Sequence, residues 1–112
     1  MKTEKHGERL LVYLNGEIDH CCAERIRKEI EEHLRDLNIR QLILDFSRVS
    51  FMDSSGIGML IGRYKTMLAR NGSVTARKMK PSVKRLFYMA GLHRIMMLDE
   101  QEPEGGMIIN EK

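Results

Sequence analysis

Long apolar runs, separated cysteine pairs and aromatic-studded basic tracts are all missing from this chain of 112 residues. No uninterrupted apolar stretch approaches the ~20 residues that a helix needs to cross a bilayer, so no membrane span is expected. Lys2, Thr3, Glu4 and Lys5 could open a secretory leader, yet no apolar segment of the needed length follows, and a cytoplasmic location is the expectation. The only two cysteines, Cys21 and Cys22, are adjacent, which suits neither an ordinary disulfide nor the C-x-x-C spacing of a zinc or redox site. They read as two small side chains early in a helix, in a reducing compartment, with no metal and no cofactor implied. Aromatic residues supply only 5% of the chain, and none interrupts its densest basic stretch, Arg77, Lys78, Lys80, Lys84 and Arg85. Without rings on which bases stack, that stretch reads as a solvated face, and no direct contact with nucleic acid is expected.

What is present suits a globular protein: 42% apolar and 31% charged residues, with 19 Lys plus Arg against 16 Asp plus Glu giving a mild net charge of +3. A chain of this length can bury roughly two-thirds of the surface that its unfolded form exposes, enough for one core. No internal repeat or interdomain linker is visible, so residues 1–112 read as a single domain.

Residues 10–14 form a short apolar strand that Asn15-Gly16 ends as a turn, with Glu17 and Ile18 able to resume pairing. Asp19 then stands at the N-cap of a helix, where a carboxylate accepts from unpaired amides and favours the positive dipole end. From His20 onward, Ala23, Ile26, Ile30, Leu34 and Leu37 recur at three- and four-residue spacing and predict one buried stripe, with Asn38 as the stop. Residues 41–46 carry Leu42, Ile43, Leu44 and Phe46 and read as a central, doubly covered strand. A second helix follows, with Leu60, Ile61, Tyr64, Met67 and Leu68 on one face and Asn71-Gly72 at its end. Residues 73–77 predict a strand, and Pro81 opens a third helix whose stripe is Val83, Leu86, Phe87 and Ala90 and which Gly91 closes. Residues 95–98 predict a last strand. A short apolar piece at residues 107–109 lies in a tail that Pro103, Gly105 and Gly106 interrupt. Five of the nine methionines, Met59, Met67, Met89, Met96 and Met97, sit in or beside apolar stripes and read as adaptable core filling. Alternating strands and helices predict an α/β fold on a mostly parallel or mixed sheet.

Between the second strand and the second helix stands F-M-D-S-S-G-I-G-M-L, residues 51–60. A strand that enters a helix this abruptly leaves several amides without intrahelical acceptors. Asp53 or Ser54 can supply one, while Gly56 and Gly58 keep the surface low enough for another molecule to approach. A capped helix start accounts for these residues by itself, and three functional readings compete with it. A serine nucleophile lacks G-x-S-x-G, and nothing ties His6, His20, His33 or His93 to Ser54 or Ser55. A small nucleotide-binding or nucleotide-hydrolysing protein using the turn from Asp53 to Gly58 lacks G-x-x-x-x-G-K-[ST]. A regulatory phosphorylation site needs only an exposed hydroxyl at the positive end of a helix, where a phosphate is held without unfolding anything.

Four blocks bear on that choice: Gly16-Glu17-Ile18-Asp19-His20 with Ala23; Phe51-Met52-Asp53-Ser54-Ser55-Gly56-Ile57-Gly58; Gly62-Arg63-Tyr64-Lys65; and Pro81-Ser82-Val83-Lys84-Arg85-Leu86-Phe87 with Gly91-Leu92. In this order and spacing they resemble the anti-sigma-factor antagonists of the STAS domain family, over nearly the whole chain. The last two blocks are most similar to those antagonists that control the early forespore sigma factor in spore-forming bacteria. The resemblance implies one small domain with a four- or five-stranded mixed sheet and helices packed largely on one side. It implies a non-enzymatic module that binds an anti-sigma factor, itself an ATP-dependent serine kinase, and so releases a sigma factor. It also implies that the kinase phosphorylates Ser54, with Ser55 as fallback, and that a PP2C-type phosphatase reverses the change. Asp19, Asp53, Ser54, Ser55, Gly56 and Ile57 are then the expected contact surface, on a chain that is monomeric alone. A STAS subunit of a general stress-response complex is the alternative within the family. The Cys21-Cys22 pair departs from the family pattern, and the glycine-bearing tail argues against a long final helix.

Overall fold

Residues 1–99 are described by the computed structural model. A strand that the sequence does not announce, β1 (Lys2–His6), lies antiparallel at the sheet edge against β2 (Arg9–Ile18). Its K-T-E-K-H has no apolar residue to set a period, and charged side chains suit an edge because they discourage pairing with a further chain. β2 outlasts its expected end. Gly16 takes a φ of +82°, and the pairing register shifts on either side of Asn15-Gly16, so the pair forms an irregularity inside a continuous strand instead of a turn.

Helix α1 (His20–His33) begins where Asp19 caps it but ends before Asn38. Leu34 is buried at its C-cap, whereas Leu37, expected in the stripe, is 70% exposed, and Ile39 takes the next core place. The early stop is held from a distance: Arg70 donates to the carbonyl oxygens of Leu34 (2.8 Å), Asp36 (3.2 Å) and Ile39 (3.3 Å).

β3 (Gln41–Met52) is the central strand and runs parallel to β2 and to β4 (Ser73–Arg77). Leu42, Leu44 and Phe46 join the buried residues of α1, α2 and α3 in one core, so among the described residues helices cover one face of the sheet. The register instead aligns Ile43 with Leu11 and Thr75 on the opposite face, and Asp45 with Tyr13 and Arg77. Asp45 is nonetheless buried there, because its carboxylate accepts from Ser47 N (2.9 Å), Ser47 Oγ (2.6 Å) and Arg77 Nε (2.9 Å).

Helix α2 (Ser54–Leu68) buries Leu60 and Met67 and partly buries Ile61 and Tyr64, but Leu68 is exposed and Gly56, Met59 and Arg63 fill the remaining buried positions. Asn71, at φ +58°, turns the chain back, and a Cβ on Gly72 would stand 2.6 Å from the Arg40 carbonyl oxygen. Helix α3 (Pro81–Met89) buries Val83 and Phe87 while Ala90 is exposed. A 3₁₀ turn (Leu92–Arg94) precedes β5 (Met97–Asp99), which starts later than expected and leaves Ile95 outside it. Core filling holds for Met59, Met67 and Met96, but Met89 and Met97 face solvent at 77% and 60% exposure. The mixed five-stranded sheet has the order β1-β2-β3-β4-β5. Residues 107–109 and any final helix fall outside the described residues. Among the described residues, no helix is long and apolar enough to cross a membrane.

Candidate functional site

Because β2 and β3 run parallel, their C-terminal ends emerge side by side, with Ile18 paired to Met52. Each then meets an aspartate in extended backbone: Asp19 at φ −93°, ψ −171° and Asp53 at φ −114°, ψ −168°. Asp19 Oδ1 accepts from Cys22 N at 3.0 Å, and Asp53 Oδ1 accepts from Ser55 N at 2.8 Å. Asp53 N in turn donates to Ile18 O at 3.3 Å, which ties the two turns together. Neither helix has an acidic residue in its first turn, so these caps are the carboxylates nearest two adjacent positive helix ends. The Cys22 amide holds the Asp19 carboxyl below the usual range.

Ser54 is the first residue of α2 and is exposed, whereas Ser55 is half-buried and its amide is committed to Asp53. Ile57 is half-buried against the core. Gly56, expected to face a partner, is buried: a Cβ there would stand 2.3 Å from Met52 Cγ and 3.2 Å from Ile18 Cγ2. The start of α2 therefore sits directly on the ends of β2 and β3, and Gly56 positions the turn. Cys21 is exposed and Cys22 half-buried, both as free thiols early in α1. Among the described residues, no group of His, Cys, Asp and Glu is placed to hold a metal ion.

Two further features escape a reading of the sequence alone. Phe51 is 48% exposed just before the turn, while Phe46 and Phe87 are fully buried. Separately, α1 and α2 enclose a cleft of about 310 Å³, which His20, Glu24, Arg27, Ser55, Gly58 and Arg63 help to line. Arg63 is 7% exposed and ion-paired, its Nε 2.7 Å from Glu31 Oε2. Its N–H groups are poorly aimed for that contact, and neither Nε nor Nη1 completes a hydrogen bond among the described residues. Burial depresses its pKa, against the pull of Glu31. The signal for Arg63 was a charged residue four positions from Met59 and four from Met67, in the middle of an apolar stripe. A larger hollow of about 600 Å³, lined by Met1, Lys2, Tyr13, Asn15, Ser47 and Arg48 among others, contains none of the turn residues.

Residues 1–105 match the STAS domain family. An anti-sigma F factor antagonist of Paenibacillus polymyxa is 33% identical over 102 residues, which span 91% of this chain and 87% of that protein. The solved anti-sigma factor antagonist SpoIIAA in its unphosphorylated form superposes with a TM-score of 0.73 at 28% identity, over 92% of this chain and 90% of that one. The Bacillus cell fate determinant SpoIIAA in its phosphorylated form gives a TM-score of 0.71 at 32% identity, over 89% of this chain and 91% of that one. Fold, matched length and identity agree: the chain belongs to the STAS domain family.

Proposed function

We propose that this protein is an anti-sigma-factor antagonist switched by reversible phosphorylation of Ser54. The observation that carries the reading is the exposed Ser54 side chain on the first residue of a capped helix. Support comes from the similarity to an anti-sigma F factor antagonist and to a protein known in a phosphorylated form. The partner is an anti-sigma factor that is also an ATP-dependent serine kinase, and a PP2C-type phosphatase restores the hydroxyl. Ser55 is the fallback site, disfavoured by its partial burial. The chain acts as a cytoplasmic interaction module and catalyses nothing itself.

In the unmodified state Asp19, Asp53, Ser54, Ile57 and Phe51 face the partner. A phosphate adds about −1.5 to −2 charge beside carboxylates already present. Within the domain the positive helix end accommodates it, since a surface charge there shifts stability by only ~0.3 to 1 kcal/mol. Against a partner surface, like charges brought together cost several kcal/mol, and each ~1.4 kcal/mol is tenfold in affinity. Release needs no refolding.

The test is incubation with the anti-sigma F factor of Paenibacillus polymyxa and ATP, followed by peptide mass mapping. The reading expects one phosphate on the peptide containing Ser54 and none in Ser54→Ala. Phosphate confined to other peptides, or nucleotide hydrolysis by the isolated chain, would overturn it in favour of another chemistry for the turn.

A further inference from the structure

A buried guanidinium normally satisfies its five donors in a fixed planar fork, because stranding them in low dielectric is costly. Arg63 does not: it is 7% exposed, it lines the α1–α2 cleft, and its Nη1 has no hydrogen-bond partner among the described residues. Other charges around the cleft are already paired. Arg27 donates to Glu24 through Nη2 (2.6 Å) and Nε (3.2 Å), and Glu31 Oε2 also accepts from Thr66 Oγ1 at 3.2 Å. His20 also lines the cleft. The starts of α1 and α2 both border the cleft, each capped by a carboxylate, Asp19 and Asp53. Gly58, which lines the cleft, has open space where a Cβ would be.

We propose that the α1–α2 cleft receives one acidic side chain of the anti-sigma factor, whose carboxylate pairs with the Arg63 guanidinium where it lines the cleft. The inference rests on the proposed function and extends it by naming the chemistry of the partner at this surface. Capture of a carboxylate by a buried arginine is directional and stronger than a rim contact, so Arg63 acts as an anchor of the interface. It also gives the switch a physical target. Ser55 lines the cleft beside Ser54, so a phosphate on Ser54 stands next to the seat of the incoming carboxylate and repels it.

The decisive experiment compares affinities for the anti-sigma F factor of Paenibacillus polymyxa. Arg63→Gln keeps bulk and removes the charge, and it is expected to weaken binding tenfold or more. Glu31→Gln frees Arg63 from its internal partner and removes a competing carboxylate, so it is expected to strengthen binding several-fold. Arg63→Gln with Glu31→Gln leaves no stranded charge and should stay folded by circular dichroism yet bind like Arg63→Gln. Arg35→Gln, which removes a cation that is 79% exposed just past the end of α1, controls for net charge and should change nothing. A merely structural ion pair predicts that both single changes act in the same direction, and that result overturns the inference. Should the double variant unfold, Gly58→Leu fills the cleft from an exposed helix position, and normal binding by it also overturns the inference. Failure of the unaltered chain to bind at all would instead remove the proposed function, and the inference with it.

Discussion

Two glycines two positions apart should respond to alanine with opposite sign. Both Gly56 and Gly58 are inside α2, where replacing glycine by alanine gains about 0.8 to 1 kcal/mol of helix preference. At Gly58 nothing lies within 4 Å of the added Cβ, so Gly58→Ala should keep that gain. At Gly56 the new atom would sit 2.3 Å from Met52 Cγ and 2.8 Å from its Sδ. Cγ lies too near the backbone to swing aside as a terminal methyl can, and Met52 is itself 5% exposed at the end of β3. Overpacking of this kind costs about 1 to 3 kcal/mol. Subtracting the helix gain from the upper half of that range leaves Gly56→Ala destabilised by roughly 1 to 2 kcal/mol, and the two variants separated by roughly 2 to 3. Urea unfolding followed by far-UV circular dichroism resolves this, since a slope of about 1 to 3 kcal/mol per molar turns the gap into midpoints roughly 0.7 to 3 M apart. Equal shifts in the same direction would refute the claim that α2 starts in contact with the ends of β2 and β3.

The other caps and charges give further expectations. Asp53→Ala should cost about 1 kcal/mol in thermal unfolding, while Asp53→Asn, an equally good cap, should stay within a few tenths. Burial alone would raise the Asp45 pKa, but its hydrogen bonds from Ser47 and its contact with Arg77 outweigh that and lower it. A carboxyl depressed in the folded state contributes stability that is fully present above its unfolded value near about 3.9 and is lost as pH falls through the folded value. Asp45→Asn should therefore flatten the acid limb of a stability-against-pH curve. Leu34→Ala at the buried end of α1 should cost about 2 to 5 kcal/mol, whereas Leu37→Ser should stay within about 0.5 in the same denaturant series.

Features that depend on neighbours in the chain were legible in the sequence. The caps Asp19 and Asp53, the stripe from Ala23 to Leu34 and the stop at Asn71-Gly72 rest on local rules and stand in the structure. Features that depend on distant partners were not. β1 has no apolar period and exists only because β2 offers an edge. The repeat that carried the predicted stripe on to Leu37 is cut short by Arg70, from the far end of α2. Asp45 and Arg63 look misplaced within apolar patterns until Arg77 and Glu31 are brought to them by the fold. At the candidate site, the gathering of Asp19 beside Asp53 and Ser54 follows from parallel pairing of β2 with β3, which no local pattern specifies.

The proposed switch is a phosphate that changes an encounter without changing the fold. Calorimetric titration of the anti-sigma F factor into unmodified chain, and into chain carrying a single phosphate on Ser54, measures that directly. Two tenfold steps of like-charge repulsion predict an affinity about a hundredfold lower for the phosphorylated chain, with a superimposable far-UV circular-dichroism spectrum. Equal affinities, or a loss of binding that tracks a loss of helix signal, would contradict it.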